Sequence, residues 1–322
     1  MRIIIHGVGA IGGVLATALA ASGTEVIGIA RGPRLEAIRN SGLTLRTPDG
    51  MTQARFNGVS HPRDIDFRDD DMILLTVKSQ DTTAALEDLR AAGVTDQPIF
   101  CAQNGVANET MALRLFPNVH GINVMLPAEY REPGETIAFG TPKTGVFDIG
   151  RFPGGCDAAD HAIAEALDRA NIAGFPTDDV MPSKYGKLLL NLGNIVEAAL
   201  GRGTDTAEIT KALRAEGRAV LDAAGIRYTE VDSKDPRRGT LLNIVEIDGV
   251  TRIGSSSSQS LARGAGRIET DFLNGEIALL ARLHGVPAPA NTYAARLASE
   301  LARDNARPGS VTPEDFAKGI GL

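Results

Sequence analysis

Met1-Arg2-Ile3-Ile4-Ile5-His6-Gly7-Val8-Gly9-Ala10-Ile11-Gly12 opens the chain, and the reading of this stretch decides the fold. Ile3 to Ile5 is a continuous β-branched run, the pattern of a strand buried on both faces. Gly7, Gly9 and Gly12 follow in the spacing GxGxxG, and Ala10 to Ser22 continues with helical composition until Gly23, a suitable C-terminal cap. Glycine spacing alone is weak evidence. A strand before it and a helix after it make it the turn that binds a dinucleotide. Gly7 permits the tight turn, Gly9 lets a pyrophosphate approach the backbone, and Gly12 lets helix and strand pack closely. The helix start adds free N–H groups and the positive end of a dipole.

Strand and helix keep alternating beyond this unit. Thr24 to Ala30 reads as a second strand. Pro33 stands where a helix tolerates its missing N–H, and Gly42 stops that helix. Pro48-Asp49-Gly50 is a hairpin signal between Leu43–Arg46 and the stretch around Met51 to Val59. Met72 to Val77 and Pro98 to Cys101 read as strands, Thr82 to Ala92 and His161 to Ala173 as helices. Such alternation implies a parallel sheet covered on both faces, a Rossmann-type domain. After about residue 178 the pattern changes. Ser183 to Leu200, Thr206 to Ala224, Thr270 to His284 and Thr292 to Asp304 all read as helices. The expected fold class is therefore α/β, with an N-terminal Rossmann-type parallel-sheet domain over 1–178 and an all-helical C-terminal domain over 179–322. Residues 231–266, rich in Gly and Ser, read equally well as a flexible loop or as a loop on the substrate side.

Composition narrows the function. A 322-residue chain with 43% apolar and 23% charged residues has enough material for two cores. Its formal charge of −7 disfavours a polyphosphate partner, so no nucleic acid is expected, and a small anionic ligand would need a local cationic pocket. Cys101 and Cys156 make no disulfide framework, and the five histidines show no ligand spacing, so no metal is expected. No leader and no apolar run of membrane-spanning length are evident, which makes the cytoplasm the default compartment and no membrane the expectation.

The end of the second strand chooses between the two nicotinamide dinucleotides. An acid there would bind the ribose hydroxyls and repel a 2′-phosphate. Val26-Ile27-Gly28-Ile29-Ala30 ends instead at Arg31, which, with Arg34, is placed to clamp a 2′-phosphate. The alternative is an ordinary surface arginine. NADP (NADPH) is the expected cofactor.

Three further segments carry chemistry. Lys78 follows the strand Met72–Val77, and Asn104-Gly105 follows the strand ending at Cys101, so both lie outside the carboxyl ends of strands, where open α/β sheets bind ligands. Each alone also fits a plainer role, a solvated lysine or an Asn-Gly turn. Lys187 and Asn191, four apart, share one helix face among Leu188, Leu189, Leu190 and Leu192. A lysine in that run either snorkels to water or has a use for a partly buried ammonium. Hydride addition to a ketone supplies the use: negative charge builds on the carbonyl oxygen, and an ammonium stabilises it and donates the proton. Glu269, in Glu269-Thr270-Asp271-Phe272-Leu273-Asn274-Gly275, is the best carboxylate to orient such a site, although its position also suits a helix start.

With these residues in view the chain resembles the ketopantoate reductase (2-dehydropantoate 2-reductase) family over essentially its whole length. The resemblance rests on Gly7 to Gly12, Arg31, Val77-Lys78, Asn104-Gly105, Lys187 with Asn191, and Glu269 to Gly275. It implies NADPH-dependent reduction of ketopantoate to pantoate on the route to pantothenate, in a cleft between a Rossmann domain and a helical domain. Carried over, Gly7, Val8, Gly9, Ala10, Ile11 and Gly12 would hold the pyrophosphate. Arg31 and Lys78 would bind the cofactor, with Arg31 at the 2′-phosphate. Asn104 would touch cofactor and substrate, and Lys187 would be the catalytic proton donor. Asn191 would hold the substrate, and Glu269 would lie on the nicotinamide ribose side. A serine binds the substrate carboxylate in the family; here four stand in a row, and Ser257 is chosen narrowly over Ser256. The chain departs from the pattern at Ile195-Val196, where an asparagine and a proline are usual, and at Gln259-Ser260, where Gln-Asp is usual. A lost amide changes how a substrate hydroxyl is held, so another small anionic 2-oxo acid stays open as the substrate. Two rivals remain: a β-hydroxyacid dehydrogenase-like oxidoreductase, and a non-catalytic NADP(H)-binding regulator with no use for Lys187. For assembly the expectation is a monomer or a homodimer.

Overall fold

The computed structural model describes residues 1–231, 235–264 and 266–322. They form two compact units. The first comprises 1–104, 108–181 and 235–251; the second comprises 105–107, 182–231, 252–264 and 266–322.

The first unit begins β1 (Arg2–His6), α1 (Ala10–Ala21), β2 (Glu25–Ile29), α2 (Gly32–Ser41), β3 (Leu43–Thr47), β4 (Gly50–Ala54) and β5 (Asn57–Val59). It continues with β6 (Asp71–Leu75), α3 (Thr82–Ala91), β7 (Ile99–Cys101), α4 (Asn108–Leu113), β8 (Val119–Met125), β9 (Ala128–Tyr130) and β10 (Glu135–Ala138). Then come β11 (Gly140–Pro142), β12 (Gly145–Arg151), α5 (Ala158–Arg169), β13 (Ile172–Pro176) and, much later in sequence, β14 (Leu242–Ile244).

Eight strands make the main sheet, in the order β13-β12-β8-β7-β6-β1-β2-β5. From β5 to β8 every pairing is parallel. β12 pairs antiparallel with β8, so β12 and β13 run against the others. The continuous apolar run at Ile3–Ile5 now has its reason. Ile3 and Ile5 enter one core with α1 and α5, through Leu15, Leu19, Ile163 and Leu167. Ile4 enters the opposite core with Leu86 and Leu89 of α3. A strand covered on both faces has no polar side to show. β3 and β4 form the expected hairpin and join β9 and β10 in a separate four-stranded sheet.

The second unit is helical: α6 (Met181–Asn191), α7 (Asn194–Leu200), α8 (Ala207–Ala223), α9 (Ser256–Ala262), α10 (Asn274–His284), α11 (Pro289–Arg303) and α12 (Pro313–Gly319). Its interior is aliphatic, with Leu188, Leu192, Ile195, Leu213, Leu221 and Ile277 excluded from water.

Several elements differ from expectation for local reasons. The single helix read over Ser183–Leu200 breaks at Leu192-Gly193 into α6 and α7. The carbonyl of Leu192 is turned to Asn274 Nδ2, which donates to it at 3.2 Å, so a side chain replaces a helical bond at the break. Thr270 belongs to a short 3-10 turn, Glu269–Phe272, and α10 starts only at Asn274. The helix read over His161–Ala173 ends at Arg169, and Ile172 onward is β13. The glycine- and serine-rich stretch 231–266 carries β14 and α9. β14 pairs with β11 in the first unit. Arg237 holds this returning segment through Asp148 and Asp235 and stacks over Phe175 at 5.0 Å.

Candidate active site

The glycine loop lies between β1 and α1. Gly7 has φ +107°, a left-handed conformation, and a Cβ there would stand 2.7 Å from Val77 N. At Gly12 a Cβ would stand 2.2 Å from the Gly7 carbonyl and 2.6 Å from Thr76 Oγ1. Thr76 Oγ1 donates to that same carbonyl at 2.8 Å, which joins the end of β6 to the loop. Gly9 differs from both: a Cβ there would meet nothing within 4 Å. Two glycines thus satisfy the fold, and the third leaves the backbone open to a ligand. No side chain caps α1, and its first turn holds no acid. Its N–H groups and positive dipole end therefore suit an anion, and the loop fits a pyrophosphate.

Arg31 follows β2 and stands at the N-terminus of α2. Its side chain is 79% exposed and reaches Asp88 of α3 only at 4.0 Å. Arg34, expected beside it, is used otherwise. Its guanidinium is buried beneath the loop, donating to the Val8 carbonyl at 3.1 Å and to the Pro133 and Glu135 carbonyls at 2.8 and 3.1 Å. It also lies over the Tyr130 ring at 4.8 Å. Burial pushes its pKa down to about 10. Arg34 therefore braces the loop. His6, at the end of β1, is likewise buried, which pushes its pKa down to about 4 and keeps it neutral at pH 7.

Lys78 and Asn104 follow β6 and β7, parallel strands, so they share the sheet edge with the glycine loop and Arg31. A buried polar lattice that the sequence reading missed fixes both turns. Gln103 Nε2 donates to the Val77 carbonyl at 2.9 Å and to Thr82 Oγ1 at 2.8 Å. Thr82 Oγ1 donates to Asn108 Oδ1 at 2.8 Å. Asn108 Nδ2 in turn donates to Ser79 Oγ and to the Asn104 carbonyl, each at 3.1 Å. Asn108 and Thr82 are fully buried. The available signal was positional: Gln103 adjoins Asn104, and Asn108 lies one helical turn beyond it.

In the second unit α6 carries Lys184, Lys187 and Asn191 at intervals of three and four, hence on one face. Lys184 is deeply buried, 3% exposed, and Lys187 is half-buried. Asn191 is 8% exposed, and its Nδ2 makes no hydrogen bond among the described residues. A buried amide donor without an acceptor is costly unless a ligand supplies one. Ser257 lies buried in α9, which packs against α7. Glu269 is buried in the turn that precedes α10. Asn274 and Asn291 are fully buried and joined by a 3.0 Å hydrogen bond, and Glu216 accepts from Asn291 N at 2.8 Å. This lattice links α8, α10 and α11 to the end of α6.

One other cluster holds ligand-type atoms. His120, Asp157 and Asp160 bring one each within 4.8 Å. These groups already serve the fold. Asp160 Oδ1 lies 2.7 Å from His120 Nδ1, Asp157 Oδ2 accepts from Arg151, and both carboxylates form the capping box of α5. Among the described residues no helix is long and apolar enough to cross a membrane.

Comparison with known proteins agrees with this layout. Residues 3–154 match the family Ketopantoate reductase PanE/ApbA, and residues 179–302 match its C-terminal counterpart. A 2-dehydropantoate 2-reductase from Pyrococcus horikoshii is 29% identical over 299 residues, covering 90% of this chain and 94% of that one. The crystal structure of a PanE/ApbA family ketopantoate reductase from Ralstonia eutropha superposes with a TM-score of 0.78 at 27% identity, over 95% of this chain and 99% of that one. A ternary structure of D-mandelate dehydrogenase with NADH and anilino(oxo)acetate shares the fold, with a TM-score of 0.76 at 22% identity over 95% of this chain and 99% of that one. Two matched segments in the family's order span most of both units, and the chain belongs to the ketopantoate reductase family of oxidoreductases.

Proposed function

We propose that the protein reduces a 2-oxo acid with NADPH, with 2-dehydropantoate, converted to pantoate, as the first candidate. The observation that carries the reading is the face of α6. It presents a half-buried ammonium at Lys187 and, one turn on, Asn191 Nδ2, which has no hydrogen-bond acceptor among the described residues. Gly7 to Gly12, Arg31 and Lys78 would hold the dinucleotide. The open backbone at Gly9 and the exposed guanidinium of Arg31 suit a pyrophosphate and a 2′-phosphate respectively.

When bound, the nicotinamide supplies a hydride to the keto carbon. The remaining tasks fall to side chains. Asn191 Nδ2 donates to a substrate oxygen and so gains the acceptor it lacks. Lys187 faces the carbonyl oxygen, stabilises the charge that develops there and gives up its proton as the C–O group becomes an alcohol. The neutral amine then takes a proton from water. One hydride and one proton thus convert the 2-oxo acid to the 2-hydroxy acid. A hydroxyl of the Ser255–Ser258 run, Ser257 in the sequence reading, receives the carboxylate. Asn104 and Glu269 complete the contacts to substrate and nicotinamide ribose.

A second candidate substrate class has its own support. The position where the family carries a second asparagine holds Ile195, fully buried. An apolar side chain there forfeits a contact to a substrate hydroxyl and favours 2-oxo acids with an apolar substituent. The related fold of D-mandelate dehydrogenase, solved with anilino(oxo)acetate, points the same way. Steady-state kinetics with ketopantoate and with a phenyl-substituted 2-oxo acid separate the two classes. The first candidate predicts kcat/KM at least tenfold higher, about 1.4 kcal/mol, for ketopantoate; the reverse order assigns the protein to the apolar class. No reduction of either rejects both candidates and moves the search to other 2-oxo acids.

A further inference from the structure

The serine run is fastened to α7 by a single carboxylate. Glu197 Oε1 accepts from Ser255 N at 2.6 Å and from Ser258 Oγ at 3.0 Å. Ser255 Oγ donates to the Asn194 carbonyl at 3.1 Å and accepts from Ser258 N at 3.3 Å. Gly254 makes room for this arrangement. Its φ is +117°, and a Cβ there would stand 2.2 Å from Glu197 Oε1. Any side chain at Gly254 would displace the carboxylate. The partners of Oε1 are an N–H and an O–H, so the junction calls for an acceptor, which a carboxylate supplies in both oxygens.

This clamp occupies the hydroxyls of Ser255 and Ser258. Ser256 and Ser257 stand between them. Ser256 Oγ is shielded from water and makes no hydrogen bond among the described residues, and Ser257 is 2% exposed. We infer that Glu197 is a positioning residue: it fixes the first turn of α9 so that the two hydroxyls outside the clamp are set to receive the substrate carboxylate. The inference rests on the reading above that the serine run binds that carboxylate. Glu197 carries the same charge as the substrate, so it acts through geometry and not through attraction.

The test compares wild type with Glu197→Ala, Glu197→Gln and Ser258→Ala, using the 2-oxo acid that the wild type reduces best. Melting temperature and NADPH affinity are measured on each. Glu197→Ala is expected to raise KM for the 2-oxo acid by roughly 10- to 100-fold, the size of a misplaced binding group. Its kcat and NADPH affinity should stay within about twofold of wild type. Glu197→Gln keeps an acceptor and restores KM most of the way. Glu197→Ala combined with Ser258→Ala should be no worse than Glu197→Ala alone, because both remove one junction. An unchanged KM in Glu197→Ala overturns the inference. So does a joint loss of kcat, KM and melting temperature that Gln does not rescue, which marks a structural role only. A wild type inactive on every 2-oxo acid removes the functional reading beneath it, a result distinct from both.

Discussion

Lys187→Ala is expected to lower kcat by about a thousandfold, roughly 4 kcal/mol of transition-state stabilisation, while NADPH binds as in wild type. On the proposed reading, the substitution removes charge from the developing oxyanion and removes the proton that completes the alcohol. Both losses act at the transition state, so kcat and kcat/KM fall together. NADPH affinity is expected to be spared, because the groups proposed to hold the dinucleotide's phosphates, the glycine loop, Arg31 and Lys78, belong to the first unit and Lys187 to the second. Lys187→Arg supplies a sharper form. It restores the charge, but guanidinium does not release a proton near neutral pH, so it should recover little of the rate. Lys184 is the control, because it shares the helix face and is more deeply buried. Full activity in Lys187→Ala would remove the proton-donor role and assign the proton to another group.

Arg31→Ala is expected to weaken NADPH binding by roughly 10- to 100-fold and NADH binding by no more than about twofold, the loss of hydrogen bonds to a charged group. The local structure makes this a clean substitution. Arg31 is 79% exposed and its ion pair to Asp88, itself partly exposed, is 4.0 Å long, so among the described residues its removal leaves no buried partner stranded. Arg34 offers the contrast. Its guanidinium supports the carbonyls beneath the glycine loop, so Arg34→Ala should weaken both dinucleotides together. Titration of the two variants with both cofactors separates a phosphate contact from a brace. Equal losses of NADPH and NADH in Arg31→Ala contradict the 2′-phosphate assignment.

Features with a local cause were legible in the sequence. The GxGxxG stretch announced a strand, a turn and a helix because each glycine answers a steric demand within a few residues. The hairpin at Pro48-Asp49-Gly50 was equally plain. Long-range partners were not. Nothing in the neighbourhood of Arg34 says that its guanidinium meets carbonyls about a hundred residues away, at Pro133 and Glu135. The break at Leu192-Gly193 depends on Asn274, and the order of the serine run depends on Glu197. The start of β13, Ile172-Ala173, reads as the end of a helix in the sequence, and the reversed direction of β12 and β13 is a property of the sheet and not of either strand. Lys187 stood out by its apolar neighbours, but among the described residues the most deeply buried lysine is Lys184, one turn earlier on the same face.

The central claim is hydride delivery to a 2-oxo acid, and its most direct measurement follows NADPH oxidation by the purified protein with ketopantoate, against a control without substrate, and identifies the product by mass. Saturable oxidation, matched mole for mole by pantoate, is the predicted result. NADPH that binds but is not consumed with ketopantoate or any other 2-oxo acid would contradict the account.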